Sequence, residues 1–331
     1  MAVAEGSRPV ENKLVTVFGG SGFIGRHVVR ALARDGWRIR VAVRRPDLAG
    51  HLQPLGGVGQ IVAVQANLRF PESVRQAARG SDAVVNLVGI LAESGKQRFQ
   101  ALQAEGPRLI AEAAREAGAR RFVQMSAIGA DRASAALYGQ TKAAGEQAAL
   151  EAFPETVILR PSIVFGPEDS FFNKFAAMAQ ISPVLPLIGG GKTRFQPVFV
   201  GDVAHVVALA LRGGMAGGAG AYELGGPAVM TFEEILRFVL RQTGRERLLL
   251  PLPFPLAKAQ ARLLQLLPKP LLTVDQVAML EVDNVVSDEA IAAGRTLEGL
   301  GVSPASVEAV VPTYLWRFRK AGQFEKLAGE S

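Results

Sequence analysis

The sequence predicts an α/β protein: a doubly wound parallel sheet followed by a smaller, discontinuous C-terminal domain. Three observations support this fold class. Short apolar runs typical of buried strands alternate with helical stretches through the first half of the chain, and a glycine-rich turn follows the first run. Beyond the sixth run the loops become rich in glycine, proline and phenylalanine, which indicates a second folding unit.

The composition is that of a folded globular protein. The chain has 331 residues, of which 49% are hydrophobic and 20% are charged, enough for a full α/β domain and a smaller one. It has no cysteine and only three scattered histidines, so we expect neither disulfides nor a metal site. The formal net charge of +7 favours anionic partners such as lipid head groups, acidic protein surfaces or a phosphorylated cofactor. Nucleic acid is not an expected partner, because the basic residues are spread out and no recognition motif accompanies them.

The first residues, 1–12, are expected to form a flexible arm. They contain no apolar core, so they predict neither a secretion signal nor a membrane anchor. Their two glutamates also argue against a transit peptide.

The first strand and the turn after it carry the strongest signal. Leu14–Phe18 is apolar and β-branched without polar alternation, as in a strand that is buried on both faces. Gly19, Gly22 and Gly25 follow it, and a helical pattern starts at once. Gly19 would permit the tight turn, Gly22 would let backbone N–H groups approach a diphosphate, and Gly25 would let the helix approach the strand. The order strand, turn and helix predicts a Rossmann dinucleotide site rather than an unligated turn. Three other residues of the turn are expected to line the cofactor: Ser21, Phe23 and Ile24.

Five more apolar runs are predicted to be strands of the same sheet: Ile39–Val43, Ile61–Val64, Ala83–Val88, Phe122–Met125 and Val157–Val164. Helical stretches separate most of them, which predicts right-handed βαβ units with the ligand at the carboxyl ends of the strands.

The domain organisation follows from these elements. The Rossmann domain is predicted over residues 13–165 and about 195–212, and the smaller domain over 166–194 and 213–331. Within the latter, Thr231 and Glu234 have the spacing of a capping box and predict the start of an amphipathic helix.

Arg44 and Arg45 indicate which nicotinamide cofactor is bound. They end the second predicted strand, where many NAD-binding proteins place an acid on the ribose 2′-hydroxyl. Guanidinium groups bind a 2′-phosphate that a carboxylate would repel, so we predict NADPH, with NAD disfavoured. The alternative is that both arginines are solvated surface residues before Pro46.

Further cofactor contacts are predicted at the ends of the other strands. Asn67 ends the third strand where it would face adenine, although it could equally be an ordinary loop residue. The remaining predicted contacts are its neighbour Leu68, the close backbone pass at Leu87, Val88 and Gly89, and Pro161 on the sixth strand.

A candidate catalytic group follows the fifth strand. Ser126 ends that strand, and Tyr138 and Lys142 form a Y-x-x-x-K motif twelve residues later. Residues four apart share one helix face, so the ammonium would lower the pKa of the phenol and make it a usable acid or base. Ser126 would then orient a carbonyl or alcohol, and Lys142 would also hold the nicotinamide ribose. The alternative is an ordinary helix start.

These motifs together resemble the short-chain dehydrogenase/reductase superfamily, in its extended or atypical branch. The segments that carry the resemblance are Gly19–Gly25, Asp82–Gly89, Ser126, Tyr138 and Lys142. It covers the whole Rossmann part and implies a nicotinamide nucleotide as cofactor. That branch often has an asparagine where this chain has Gln103, which argues against an intact proton relay.

The second half of the chain has a narrower resemblance. Three segments are similar to the nucleotide-binding accessory subunit of respiratory complex I and its bacterial counterparts: Phe153–Met178, Gln196–Ala204 and Leu250–Leu264. With the glycine turn, this likeness runs over nearly the whole chain. It implies a protein that holds NADPH for structural reasons among complex I subunits, with vestigial catalytic residues. Two other functions stay open: a working NADP-dependent reductase or sugar-nucleotide epimerase, and a nucleotide-sensing regulator, which only the Rossmann turn supports.

Residues 248–272 form a leucine-rich stretch about long enough to cross a bilayer. Its prolines and cations argue against a spanning helix, so we predict a segment at the membrane interface. The alternative is that its leucines complete the core of the smaller domain. The resemblance to complex I favours a peripheral place on the cytoplasmic side of the bacterial inner membrane, which is equivalent to the matrix side.

Overall fold

The computed structural model describes residues 13–265, 267, 270 and 272–322, so the predicted arm at 1–12 lies outside the described residues. Its strands are β1 Leu14–Phe18, β2 Arg38–Val43, β3 Ile61–Gln65, β4 Ala83–Asn86, β5 Arg121–Met125, β6 Val157–Pro161, β7 Val164–Phe165, β8 Val184–Ile188, β9 Arg194–Phe195, β10 Val198–Phe199, β11 Gly220–Leu224, β12 Met230–Thr231 and β13 Leu248–Leu252.

The α-helices of the described residues are α1 Phe23–Arg34, α2 Pro71–Ala78, α3 Gly106–Glu116, α4 Leu137–Ala152, α5 Phe172–Ile181, α6 Val200–Arg212, α7 Phe232–Gln242, α8 Phe254–Leu264, α9 Val274–Met279, α10 Asp288–Ala292, α11 Val307–Val310 and α12 Pro312–Leu315. A π-helical segment, Gln100–Glu105, precedes α3.

Seven parallel strands form the main sheet, in the order β11-β6-β5-β4-β1-β2-β3. α1 and α6 cover one face, where Val15 and Val17 of β1 are buried. α2, α3 and α4 cover the other face, where Phe18 is buried. Burial on both faces explains why these strands lack polar alternation, and it confirms the predicted doubly wound fold.

The predicted strands form, but two of them end early. β4 ends at Asn86 instead of Val88, because the Asn86 side chain accepts a hydrogen bond from the Val88 N–H at 3.0 Å and turns the chain. The sixth strand is split into β6 and β7 after Pro161. The capping box is confirmed: the Glu234 N–H donates to the Thr231 hydroxyl, and the Thr231 N–H donates to the Glu234 carboxylate at 2.7 Å.

One strand corrects the predicted domain boundary. β11 lies within the range 213–331 that the sequence assigned to the smaller domain, yet it pairs with β6 as the outer strand of the main sheet. Its five residues follow a glycine-rich connection and include a polar residue, Glu223, so no long apolar run marks this strand in the sequence.

A second hydrophobic core, rich in phenylalanine, lies apart from the main sheet. α5, α7 and α12 meet there, and the rings of Phe175 and Phe232 contact edge to face with centroids 5.4 Å apart. This core draws on residues on both sides of 195–212, as a discontinuous domain would. The remaining boundaries of that domain stay a prediction.

Several of the described leucines in the stretch 248–272 are exposed instead of buried. β13 pairs with β8, and α8 packs on α9 through the buried alanines Ala257 and Ala261. Five leucines here are about half to three-quarters exposed and form what we call the leucine surface: Leu248, Leu250, Leu256, Leu263 and Leu267. For these five, the alternative of a core role is wrong. Within the described residues, the structure has no helix with the length and apolarity that crossing a membrane requires.

Candidate functional site

The glycine turn brings α1 against β1. Gly19 has a φ of +77°, a left-handed conformation that favours glycine. A Cβ on Gly25 would lie 2.5 Å from the carbonyl oxygen of Gly19, closer than real side chains approach. Both glycines therefore have the geometry predicted for them.

The N-terminus of α1 is open at Gly22. No side chain caps the helix, and a Cβ on Gly22 would meet only the Gly19 oxygen, at 3.4 Å. The first N–H groups of a helix carry partial positive charge and need acceptors, so a diphosphate fits at this end. Three further residues of the turn lie half-buried around it: Ser21, Phe23 and Ile24.

The two arginines after β2 are exposed but differ in their partners. Arg45 donates to Asp47 through Nε at 2.9 Å and Nη2 at 2.7 Å, which raises the pKa of its guanidinium. Since Asp47 holds Arg45, Arg44 is the better placed of the two for a 2′-phosphate. The sequence pattern did not distinguish the two arginines. Asp47, two residues after Arg45, could have indicated that an ion pair forms between them.

Asn67 and Leu68 follow β3. The Asn67 side chain accepts a hydrogen bond from the Arg69 N–H at 3.1 Å, so it shapes its own loop. Leu68 packs against Gly106 at the start of α3. The contact of Asn67 with adenine stays a prediction.

The loop after β4 joins the glycine turn to α4. A Cβ on Gly19 would lie 3.1 Å from the carbonyl carbon of Leu87, and one on Gly89 would lie 3.3 Å from Lys142 Nζ. The backbone from Leu87 through Val88 to Gly89 therefore passes close to the glycine turn and to Lys142. Pro161, by contrast, lies buried in β6, where its carbonyl accepts from the Ile128 N–H at 3.0 Å.

Ser126, Tyr138 and Lys142 lie together at the carboxyl end of β5. Lys142 Nζ donates to the carbonyl oxygen of Met125 at 3.3 Å and lies 5.7 Å from the centroid of the Tyr138 ring. All three side chains are buried, with at most 9% of their surface exposed. The structure thus brings together the residues that the sequence separated by up to sixteen positions.

Two buried polar side chains near Lys142 have no hydrogen-bond partner among the described residues. They are Ser126, through Oγ, and Gln103, through both amide atoms. Gln103 lies on the π-helical segment, a feature frequent at functional sites, and its Oε1 would be 3.6 Å from a Cβ on Gly89. Because a buried polar group without a partner costs about 1–3 kcal/mol, this cluster fits a polar ligand such as the ribose and carboxamide of a nicotinamide nucleotide.

The pKa of Tyr138 contradicts the expectation from the motif. Burial, to which the Phe99 ring contributes, and the nearby Asp275 carboxylate, which opposes a phenolate, together raise the pKa of Tyr138 to about 12. The expected lowering by Lys142 therefore does not occur. The phenol stays protonated at neutral pH, so it can donate a hydrogen bond but is a poor general base.

Lys142 is shifted in the other direction. Burial lowers the pKa of its ammonium to about 8, and the Glu146 carboxylate one turn further along α4 opposes that shift. Lys142 therefore keeps its positive charge at neutral pH and loses it in mildly alkaline solution.

Asp275 was missed by sequence reasoning. It lies on α9, and its carboxylate accepts hydrogen bonds from the N–H groups of Leu137 at 2.6 Å and Tyr138 at 3.2 Å. It therefore caps the helix that carries Tyr138 and Lys142. No local pattern connects residues 138 positions apart, and a lone aspartate near a helix start is common.

The candidate residues follow the order of the strands along the carboxyl edge of the main sheet. Ser126 lies after β5, Gly89 after β4, the glycine turn after β1, Arg44 after β2 and Asn67 after β3. An extended dinucleotide would place its nicotinamide at the first of these positions and its adenine at the last. Within the part of the chain that the structure describes, no three His, Asp or Glu side chains are grouped to hold a metal ion.

Known proteins resemble this chain over most of its length. The NAD dependent epimerase/dehydratase family matches residues 15–225. NADH dehydrogenase (ubiquinone) 1 alpha subcomplex subunit 9 of Arabidopsis thaliana, a mitochondrial protein, is 33% identical over 328 aligned residues, in a match that covers 96% of this chain and 81% of that one. A ceramide reductase of Caulobacter vibrioides is 36% identical over 191 residues, 58% of each chain.

The fold also matches solved structures. The UDP-glucose 4-epimerase of Thermus thermophilus, solved in complex with NAD, superimposes with a TM-score of 0.65 over 93% of this chain and 99% of that one, at 22% identity. At such identity the match concerns the fold alone. The family match and the relative that spans both halves of the chain go further: the chain belongs to the NAD dependent epimerase/dehydratase family and, within it, to the family of the NADH dehydrogenase 1 alpha subcomplex subunit 9 proteins.

Proposed function

We propose that the protein is an NADP(H)-binding accessory subunit, or an assembly and stability factor, of respiratory complex I (NADH:ubiquinone oxidoreductase). The observation that carries this proposal is the extent of the likeness to the Arabidopsis subunit, which reaches beyond residue 225, where the enzyme family match ends. A relative that shared only the cofactor domain would give no reason to choose a subunit over an enzyme.

The cofactor is held along the carboxyl edge of the main sheet. The open N-terminus of α1 takes the diphosphate, Arg44 takes the 2′-phosphate of NADPH, and Lys142 takes the nicotinamide ribose. The other residues proposed to contact it are Gly19, Ser21, Gly22, Phe23, Ile24, Gly25, Arg45, Asn67, Leu68, Leu87, Val88, Gly89, Tyr138 and Pro161.

Structural holding is favoured over turnover by the chemistry around Tyr138. Its pKa of about 12 leaves the protein without a phenolate base at neutral pH. The relay asparagine of related enzymes is replaced by Gln103, whose amide is buried. Ser126, Tyr138 and Lys142 then serve as hydrogen-bond donors to a resident nucleotide.

The proposed location is peripheral, on the cytoplasmic or matrix-equivalent side of the membrane that holds complex I. The leucine surface supports it, because five exposed leucines within twenty residues of the sequence suit contact with a membrane subunit or lipid.

Affinity purification tests the proposed function. The tagged protein is isolated from membranes that were solubilised in a mild detergent, and its partners and bound nucleotide are identified by mass spectrometry. We expect complex I subunits and NADPH. A wild-type protein that is wholly soluble, with no complex I subunit attached, contradicts the assignment.

A working NADP-dependent short-chain reductase is the second candidate. The similarity to the Caulobacter ceramide reductase favours it, since that protein's name describes a reaction and its match covers more than half of this chain. Oxidation of NADPH by the purified protein with long-chain or sugar-nucleotide carbonyl substrates would support it over the subunit.

Replacing Arg44 with Glu is expected to weaken NADPH binding by roughly tenfold and to leave NADH binding nearly unchanged. A carboxylate repels the 2′-phosphate that the guanidinium binds, and one charge-assisted contact contributes about 1.5 kcal/mol or more. Calorimetric titration with both cofactors measures this. The matched control is Arg45→Glu: because Asp47 holds Arg45, this change should weaken NADPH binding less than Arg44→Glu does. Equal affinity of the wild-type protein for NADPH and NADH would count against the preference.

Replacing Lys142 with Met is expected to weaken NADPH binding by about tenfold at neutral pH, because a buried cation is lost. In the wild-type protein the affinity should fall as the pH rises through about 8, where the ammonium loses its proton, and the Met variant should lack this dependence.

Tyr138→Phe should change respiratory activity little. A carbonyl substrate reduced at a typical enzyme rate of about ten per second, and not reduced by Tyr138→Phe, would show turnover instead.

A further inference from the structure

Asp275 connects the smaller domain to the helix that carries Tyr138 and Lys142. Its two carboxylate oxygens accept from the first two N–H groups of α4, at Leu137 and Tyr138. The residue before α4, Ala136, has no side-chain oxygen and makes no cap of its own. The cap therefore comes from an element 138 positions later in the sequence.

α9 is fixed in place on its other side as well. It begins with a capping box between Thr273 and Gln276, and its Val277 is fully buried against Ala257 and Ala261 of α8. The Gln276 amide also reaches the carbonyl of Leu91, in the loop after β4, at 3.5 Å. α9 thus contacts both segments that border the nicotinamide end of the proposed cofactor site.

We infer that Asp275 is a positioning residue for the bound nucleotide: it holds the first turn of α4 and so sets Tyr138 and Lys142 at the nicotinamide ribose. This inference rests on the proposed cofactor-holding function. A carboxylate at a helix N-terminus satisfies two N–H groups and opposes the partial positive charge there. Without it the first turn of α4 frays, and Tyr138, whose own N–H is bound, moves first.

Nucleotide affinity then depends on the docking of α9 against α4. Because binding couplings are reciprocal, bound nucleotide should also hold α9 more firmly. α8, which carries Leu256 and Leu263 of the leucine surface, packs on α9. The contacts therefore run from the nucleotide through α4 and α9 to α8.

The test compares Asp275→Ala with two other variants. Asp275→Ala should weaken NADPH binding about fivefold, as the loss of one helix cap implies. Asp275→Asn keeps a carbonyl acceptor and should recover part of that loss. Ser287→Ala removes a cap of α10, where the Ser287 hydroxyl accepts from the Ala290 N–H, and should leave the affinity unchanged.

Hydrogen exchange provides a readout that a purely structural role would not change. In the wild-type protein, NADPH should slow amide exchange in residues 274–279, and in Asp275→Ala it should not. Equal NADPH affinity in Asp275→Ala and wild type, or no effect of NADPH on α9 in the wild type, overturns the inference while the proposed function stands. A wild-type protein that binds neither NADPH nor NADH overturns both.

Discussion

Gly22→Ala is expected to reduce NADPH binding by about a hundredfold while the fold stays intact. The added Cβ would meet the Gly19 oxygen at 3.4 Å, an ordinary contact, and the φ of −75° at Gly22 suits alanine. The methyl group would instead stand at the open N-terminus of α1, where the diphosphate needs the N–H groups. Losing one or two charge-assisted hydrogen bonds of about 1.5–3 kcal/mol each gives this magnitude.

Two other glycine substitutions separate binding from folding in this experiment. Gly25→Ala places its Cβ within 2.6 Å of backbone atoms of Gly20, so it should lose binding and also about 1–3 kcal/mol of folding stability. Gly50→Ala, where the added Cβ meets nothing within 4 Å, should change neither. Calorimetry for binding and thermal unfolding for stability measure the three variants. Normal NADPH affinity in Gly22→Ala would mean that the diphosphate lies elsewhere.

Local sequence patterns predicted the main sheet and the glycine turn well. Leu14–Phe18 is a strand with the predicted bounds, and four of its five residues are buried because helices cover both faces. Such patterns depend on residues that are close together in the sequence, so a short segment contains all the information that is needed to predict the strand. The same holds for Tyr138 and Lys142, whose spacing alone puts them on one helix face.

Features that depend on distant parts of the chain could not be predicted in this way. The pKa of Tyr138 depends on burial against Phe99 and on Asp275, which lies in another part of the fold. The Y-x-x-x-K motif contains Lys142 but neither of those neighbours, so it indicated a shift in the wrong direction. The motif predicts that the residues meet, whereas their environment decides what chemistry they can do.

Gln103 shows what sequence and structure contribute together. The sequence marked it as a departure from the asparagine of related enzymes, and the structure shows that its amide is buried without a partner among the described residues. A Cβ on Gly145 of α4 would overlap the backbone carbonyl of Gln103, so the π-helical segment lies directly on α4. Gln103, which replaces the asparagine of related enzymes, is therefore held rigidly beside Lys142, as expected of a group that contacts a ligand.

Replacing both Leu256 and Leu263 with serine is expected to release the protein from complex I membranes. The two side chains lie two turns apart on one face of α8 and are 58% and 72% exposed, so the fold does not depend on their burial. A leucine that becomes buried at an interface contributes roughly 1.5–3 kcal/mol, so losing two should weaken attachment by on the order of a hundredfold or more. Membrane fractionation and native gels measure the release.

Three controls make this last experiment decisive. Leu48→Ser changes a leucine that is 66% exposed but lies after β2, outside the leucine surface, and it should stay attached. NADPH affinity should be normal in the double variant, because neither leucine lies in the proposed cofactor site. Binding of the wild-type protein to vesicles of anionic lipid distinguishes a lipid contact from a protein contact. Full membrane retention of the double variant would rule out the α8 part of the leucine surface as the attachment site, since both exposed side chains would then contribute nothing to it.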